Sequence, residues 1–378
     1  MNKRNILIAQ WESNISGSPE SAKFLIEALK EKNWNIHVVV GHDGDYVNIY
    51  KDLGCEVTII NQKHWLNRKS IAWHLKSFNI RLKSFIYFNK LLKNFSPSIV
   101  YINTIVGPEV ALAAKYRHIP VIWHIRDMYD DLGGDMHIPR VVGKSGIARF
   151  INLFSNKIIT VSKAVKTNVF NDYPPEINVV FNGVNDNFRQ LKIKKCSKEI
   201  IIGIPGTLRP MKGHKFFLKS ISTIVSQLPT LKILITGTGS PIYKRELIDI
   251  INSSNLNGKV FFIGNVRKMN NFLNFCSLIV IPSSCDPLPR TVMESMAAGC
   301  PIITTNVGGI PEMVEHGVNG YLVEYGDNQM LNHFICKLIN NPHIGLSMGM
   351  SASKKAKTHF TTRHYQNKLM KFIENTCT

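Results

Sequence analysis

Between Glu56 and Glu109 the sequence has no acidic residue, and negative charge is scarce throughout: 26 Asp and Glu stand against 46 Lys and Arg, a net charge of +20. The seven cysteines are scattered singly, without CxxC spacing or clustered histidines, which excludes a disulfide framework and a structural zinc site. Long apolar runs are also missing. The first, Ile6 to Ala9, is too short for a signal peptide or a membrane span, so a cytoplasmic protein with reduced thiols is expected. No Gly/Ser-rich or Pro-rich linker and no low-complexity tract interrupts the chain. With 44% hydrophobic and 19% charged residues it should be globular, and its 378 residues suit two domains rather than one core.

What is present is one alternation, run twice. "NILIAQW", "NIHVVVG", "VTII", "SIVYINT", "PVIWHIR" and "KIITVS" are short Ile- and Val-rich runs, separated by helical stretches such as Glu20 to Lys32 and Glu109 to Arg117. After the polar, basic stretch Arg189 to Lys198 the pattern restarts with "IIIGIPG", "LKILITGTG", "KVFFIGN", "LIVIPSS", "PIITTN" and "GYLVEYG". Buried parallel strands alternating with helices make the fold class α/β, with two doubly wound Rossmann-like domains. Their boundaries are set at residues 1–188 and 189–360, with 361–378 a C-terminal helix that crosses back to the first domain. Ligands of such sheets bind outside the carboxyl ends of the strands, so the two domains are expected to face each other across a cleft.

The chemistry-bearing residues of the second half fall at those strand ends. "GTLRPMKG" places Gly206, Thr207, Arg209 and Lys212 where they can meet an anion, and "GTGSP" brings Gly237 to a close backbone approach. The third glycine of a dinucleotide fingerprint is absent. In "SSCDPLPRTVMESMAAG", Pro289 opens a helix that Gly299 ends, so the amides near Leu288, Arg290 and Thr291 form an anion site suited to a diphosphate. Asp286 lies in the loop before that helix and Glu294 inside it. The plain alternative for this pair is a solvated loop acid and a surface helix acid. In the first half, "VIWHIRDMYD" places His124, Arg126 and Asp127 at another strand end, where His124 could equally be a core-edge histidine bonded to a carbonyl.

The stretch "PSSCDPLPRTVMESMAAGCPIITTNVGGIPEMVEHGVNGYLV" resembles the signature of the retaining glycosyltransferases of family 4, which have the two-domain GT-B fold. The resemblance covers nearly the whole chain: "FNGV", "TLRPMKG", "GTG", "FFIGNV", which ends at Val266, and "KIITVS" each match a family segment. It implies a nucleotide sugar held mainly by the second domain, a glycan or lipid-linked acceptor held mainly by the first, no metal or other cofactor, and retention at the anomeric carbon. By the same resemblance Glu294 binds the ribose, Lys212 the diphosphate, Asp286 and His124 the donor sugar, and Gly17, Arg126 and Asp127 the acceptor side. Two positions depart from the pattern. Asp286 stands where the family usually has Glu, and Thr207 where it usually has a phosphate-binding Arg, which leaves Arg209 as a substitute. A sugar-nucleotide epimerase of the same fold, a glycoside hydrolase with paired carboxylates and a non-enzymatic basic membrane or nucleic-acid binding protein remain the other readings.

The acid-free segment interleaves Lys63, Arg68, Lys69, Lys76, Arg81, Lys83, Lys90 and Lys93 with Trp65, Trp73, Phe78, Phe85, Tyr87 and Phe88. An anionic membrane surface, a nucleic-acid groove, and helices that bury aromatics and solvate lysines all fit such a composition. No nucleic-acid module surrounds it, so the membrane is the expected partner and nucleic acid is not.

Overall fold

The computed structural model describes residues 4–60, 65–66, 78–129, 143–171, 173, 176–185 and 199–377. The chain divides into two units, Met1–Gly183 with Thr362–Thr378, and Val184–Thr361. The division comes before the expected 188/189 boundary for a local reason: Val184 bridges to Thr361, and its N–H donates to the Phe360 carbonyl (2.8 Å), tying it to the second unit. Residues 186–198, which include the polar stretch of the sequence, lie outside the described residues.

The first unit is built on a parallel sheet of seven strands: β1 (Asn5–Gln10), β2 (Asn35–Val40), β3 (Glu56–Ile59), β4 (Ile99–Ile102), β5 (Val121–Ile125), β6 (Lys157–Thr160) and β7 (Asn178–Val179), in the order β3-β2-β1-β4-β5-β6-β7. The central strands are buried along nearly their whole length, because helices cover both faces and β-branched residues fill both pleats. The edge strand β3 is half exposed. The last helix, Thr362–Cys377, returns to this unit and sets Tyr365, Leu369, Met370 and Ile373 into its core beside Leu25 and Tyr101.

The second unit repeats the plan with β8 (Ile200–Ile204), β9 (Leu231–Thr236), β10 (Val260–Gly264), β11 (Leu278–Ile281), β12 (Ile302–Thr305) and β13 (Tyr321–Val323), in the order β10-β9-β8-β11-β12-β13, again all parallel. In each sheet the winding reverses once, between β1 and β4 in the first and between β8 and β11 in the second. At such a point the two loops leaving adjacent strands run in opposite directions and open a crevice. Among the described residues, no helix is long and apolar enough to cross a membrane.

Candidate functional site

The crevice of the second unit lies between the loop after β8 and the loop after β11. Gly206, at φ +150°, and Gly237, at φ +86°, are packed backbone to backbone; a Cβ on Gly237 would sit 2.1 Å from the Gly206 carbonyl oxygen. Leu208 is buried, and its N–H donates to the Thr238 carbonyl (2.9 Å). Side chains alternate along this extended piece, so Thr207 and Arg209 fall on the side away from the core, and Arg209 is exposed. A turn at Pro210–Lys212 then aims Lys212 back, and Gly213, at φ +72°, touches the next loop: a Cβ there would lie 1.7 Å from the Pro282 carbonyl oxygen.

The two loops are laced by the Ser284 N–H to the Met211 carbonyl (2.8 Å) and by an ion pair, Lys212 Nζ to Asp286 Oδ2 at 2.5 Å. Asp286 is only 4% exposed, and its carbonyl accepts from the Gly309 N–H (3.0 Å) in the loop after β12. Three strand ends therefore converge on one acid and one lysine. Beside them starts helix Arg290–Ala298, with Pro289 in the N-cap position and Gly299 closing it in the left-handed region. Its first amides lack intrahelical acceptors and carry the positive end of the helix dipole. Glu294 meets Arg290 on the same helix face at 3.5 Å, both largely buried, while Leu288 is buried and Thr291 half-buried. Val266 follows the edge strand β10, two strands away from β8. Next to Lys212, burial first and the Lys212 cation second lower His214 to about 4, so it stays neutral.

In the first unit the strand ends beside the β1/β4 reversal hold a closed polar network. Arg126 is buried, and its guanidinium donates to Asn103 Oδ1 (2.7 Å), to Asn182 Oδ1, to the Tyr365 hydroxyl (2.7 Å) and to His124 Nδ1 (3.3 Å). Asn103 in turn donates to Gln10 and to the Ser18 carbonyl (3.1 Å). The Asp127 carboxylate accepts from Thr104 Oγ1 (2.9 Å) and the Ile105 amide (3.0 Å), which fixes the loop after β4. Gly17 opens helix Gly17–Glu31, and its carbonyl accepts from Ser21 (2.9 Å). Expected as acceptor contacts, Arg126 and Asp127 are thus engaged by the protein itself. Gln10, Asn103, Asn182 and Tyr365 were not singled out by the sequence. Asn182 lies in the "FNGV" segment, but Tyr365 has no local signal. Among the described residues, no three His, Cys, Asp or Glu side chains are grouped as a metal site.

The acid-free segment is partly described. Lys63, Arg68, Lys69, Trp73 and Lys76 lie outside the described residues. Trp65 turns inward: its indole N–H donates to the Ile105 carbonyl (3.0 Å) and its ring packs on Phe150. Arg81 is paired with the buried Glu109 (3.0 Å), the acid that ends the acid-free run. Helix Phe78–Phe95 buries Ser84, Phe88 and Leu92 and leaves Phe78, Leu82 and Ile86 exposed at spacings of four, with Lys83, Lys90 and Lys93 around them.

Two family models match, nearly end to end: Glycosyltransferase Family 4 over residues 15–188 and Glycosyl transferases group 1 over residues 185–359. The capsular polysaccharide biosynthesis glycosyltransferase CapM of Staphylococcus aureus is 24% identical over 89% of each chain. The N,N'-diacetylbacillosaminyl-diphospho-undecaprenol alpha-1,3-N-acetylgalactosaminyltransferase of Campylobacter jejuni is 24% identical over 88% of this chain and 89% of its own. With the first curated relatives the match is shorter, spanning about half of their length. The fold matches Anabaena Alr3699/HepE, crystallised with UDP and glucose, with a TM-score of 0.80 and 19% identity over 98% of this chain and 99% of that one.

Proposed function

Because the chain belongs to the two-domain glycosyltransferases of family 4, we propose that it transfers a sugar from a nucleoside diphosphate to a glycan or lipid-linked glycan in cell-surface polysaccharide synthesis, with retention. The observation that carries this reading is the convergence of Lys212, Asp286 and the start of helix Arg290–Ala298 at the strand reversal of the second unit. A diphosphate leaving group needs its developing charge met, and a lysine with oriented amides does that without a divalent ion. Glu294 holds the ribose and Asp286 a sugar hydroxyl; Arg209 and Arg290 stand near the phosphate path. In the transfer, the bond from the anomeric carbon to the diphosphate oxygen breaks. A bond to the acceptor oxygen forms on the same face, and the acceptor proton passes to the leaving diphosphate. A covalent sugar intermediate needs a free carboxylate close to that carbon. Asp127, the acid at the β5 end, is tied through Oδ2 to the loop after β4 as a structural acid, and the reaction is read here as a single displacement. A panel of UDP- and GDP-sugars tests the reading by donor hydrolysis and transfer. Turnover of at least one donor, unaffected by EDTA, is expected, and no turnover or binding of any donor refutes it.

The finer part of this reading is a cytoplasmic enzyme seated on the inner face of the cell membrane. Its support is helix Phe78–Phe95, whose exposed Phe78, Leu82 and Ile86 share the helix surface with the exposed Lys83, Lys90 and Lys93, a pattern that suits an interfacial helix. Arg81 is unsuited to a lipid contact, since it serves Glu109. Changing Lys83, Lys90 and Lys93 to Ser should lower partitioning onto anionic vesicles about a hundredfold, at about 1 kcal/mol per lysine. Equal sedimentation of the variant and the parent with anionic vesicles would reject this seat.

A further inference from the structure

Arg126 makes no ion pair among the described residues, although it is buried, and it shares Nδ1 of His124 with the Tyr101 hydroxyl (2.6 Å). A guanidinium has no lone pair and can only donate. Nδ1 must therefore accept, and the single proton of the neutral ring sits on Nε2. That Nε2 atom is itself buried and has no hydrogen-bond partner among the described residues. The remaining Arg126 bonds fix the orientation. Nε points to Asn103 and Nη1 to Asn182, whose Oδ1 also accepts from Ser21 (3.2 Å). Nη2 spans His124 and the Tyr365 hydroxyl, whose own O–H donates to the Ser21 carbonyl (3.1 Å).

We infer that Arg126 and Tyr365 are positioning residues for His124: they hold it as a neutral ring with its proton on Nε2, a hydrogen-bond donor reserved for a substrate oxygen, and so make the returning helix Thr362–Cys377 part of the reactive site. Burial, and after it the Arg126 charge, push His124 well below the ordinary histidine range, in keeping with a ring that donates without cycling a proton. The inference rests on the glycosyltransferase reading for what the N–H serves, but the tautomer does not depend on it. It also accounts for a cation buried without a carboxylate. A counter-ion here would accept from Nη2 in place of Nδ1 and free His124 to turn over or to protonate.

The test uses the full chain with 15N-labelled histidine, assigning the His124 ring by difference from His124→Gln. The parent should show an unprotonated Nδ1 and a protonated Nε2, unchanged between about pH 5 and 8, a window in which an ordinary histidine titrates. Tyr365→Phe keeps the ring and its packing and removes only the hydroxyl. Arg126→Met removes the donor. Both should mix the tautomers and lower kcat by about tenfold to a hundredfold, the scale of losing a partner that orients a metal-ligating histidine, with donor KM unchanged. A parent ring protonated on Nδ1, a His124 that titrates in that window, or a Tyr365→Phe variant with parental tautomer and kcat would each overturn the inference. Should no sugar donor be turned over, the glycosyltransferase reading fails and the resonance pattern still decides this one.

Discussion

Replacing Lys212 by Met should lower kcat/KM for the sugar donor by about a hundredfold to a thousandfold, the size of effect seen when one charge-stabilising donor is taken from a reacting oxygen. The same change should also destabilise the second unit, by about 1 to 3 kcal/mol, because it strands the Asp286 carboxylate, which is 4% exposed and otherwise paired at 2.5 Å. The two effects separate in a double variant. Lys212→Met with Asp286→Asn has no stranded charge and should recover most of the lost stability while staying inactive. Thermal melts and steady-state kinetics on the four proteins of the cycle decide the matter. Recovery of activity along with stability would show that the lysine serves the fold and not the diphosphate. The pair also changes what Asp286→Asn alone can report. It releases Lys212 from its ion pair, so it should change nucleotide binding as well as turnover.

Gly213→Ala should be the most damaging single-methyl change in the second unit. The residue sits at φ +72°, where a side chain costs about 1 to 2 kcal/mol, and its new Cβ would lie 1.7 Å from the Pro282 carbonyl oxygen. Neither atom belongs to a flexible side chain, so the loop after β8 must move away from the loop after β11. A total near 3 kcal/mol is expected, about 10 °C in the melting temperature of a unit this size, together with weakened donor binding as Lys212 leaves Asp286. Gly258→Ala is the control. It has the same sign of φ, +75°, but nothing within 4 Å of the added carbon, so it carries the strain without the collision. Similar losses in both variants would mean that the close approach of the two loops is unimportant.

The fold was legible wherever the signal is local. Ile- and Val-rich runs of strand length, each followed by a helix, are the direct consequence of burying both faces of a parallel sheet, and each of the central strands was visible in that way. Pro289 and Gly299 marked the two ends of the key helix, because one has no amide to lose and the other tolerates a positive φ. Long-range pairing was illegible. Nothing near Arg126 announces that its acceptors are Asn182 and, 239 positions on, Tyr365. Similarly, the acid-free stretch reads as uniform positive charge until Glu109 folds back on Arg81. The site was half legible for the same reason: Lys212 and Asp286 were named one by one from strand-end motifs, and their contact depends on which strands are neighbours.

During synthesis the first unit is the first to leave the ribosome and the last to be finished. Its core includes Tyr365, Leu369, Met370 and Ile373, and the whole of Val184–Thr361 must be made before they emerge. At about 5 to 20 residues per second, that leaves the sheet of the first unit without its covering helix for roughly 10 to 35 s. Over that interval its unfilled apolar flank is a binding site for chaperones and a route to aggregation, while the contiguous second unit can close on its own residues. Loss of Thr362–Cys377 would accordingly damage the half of the protein that was translated first, and Arg126 would lose Tyr365 before the second unit lost anything.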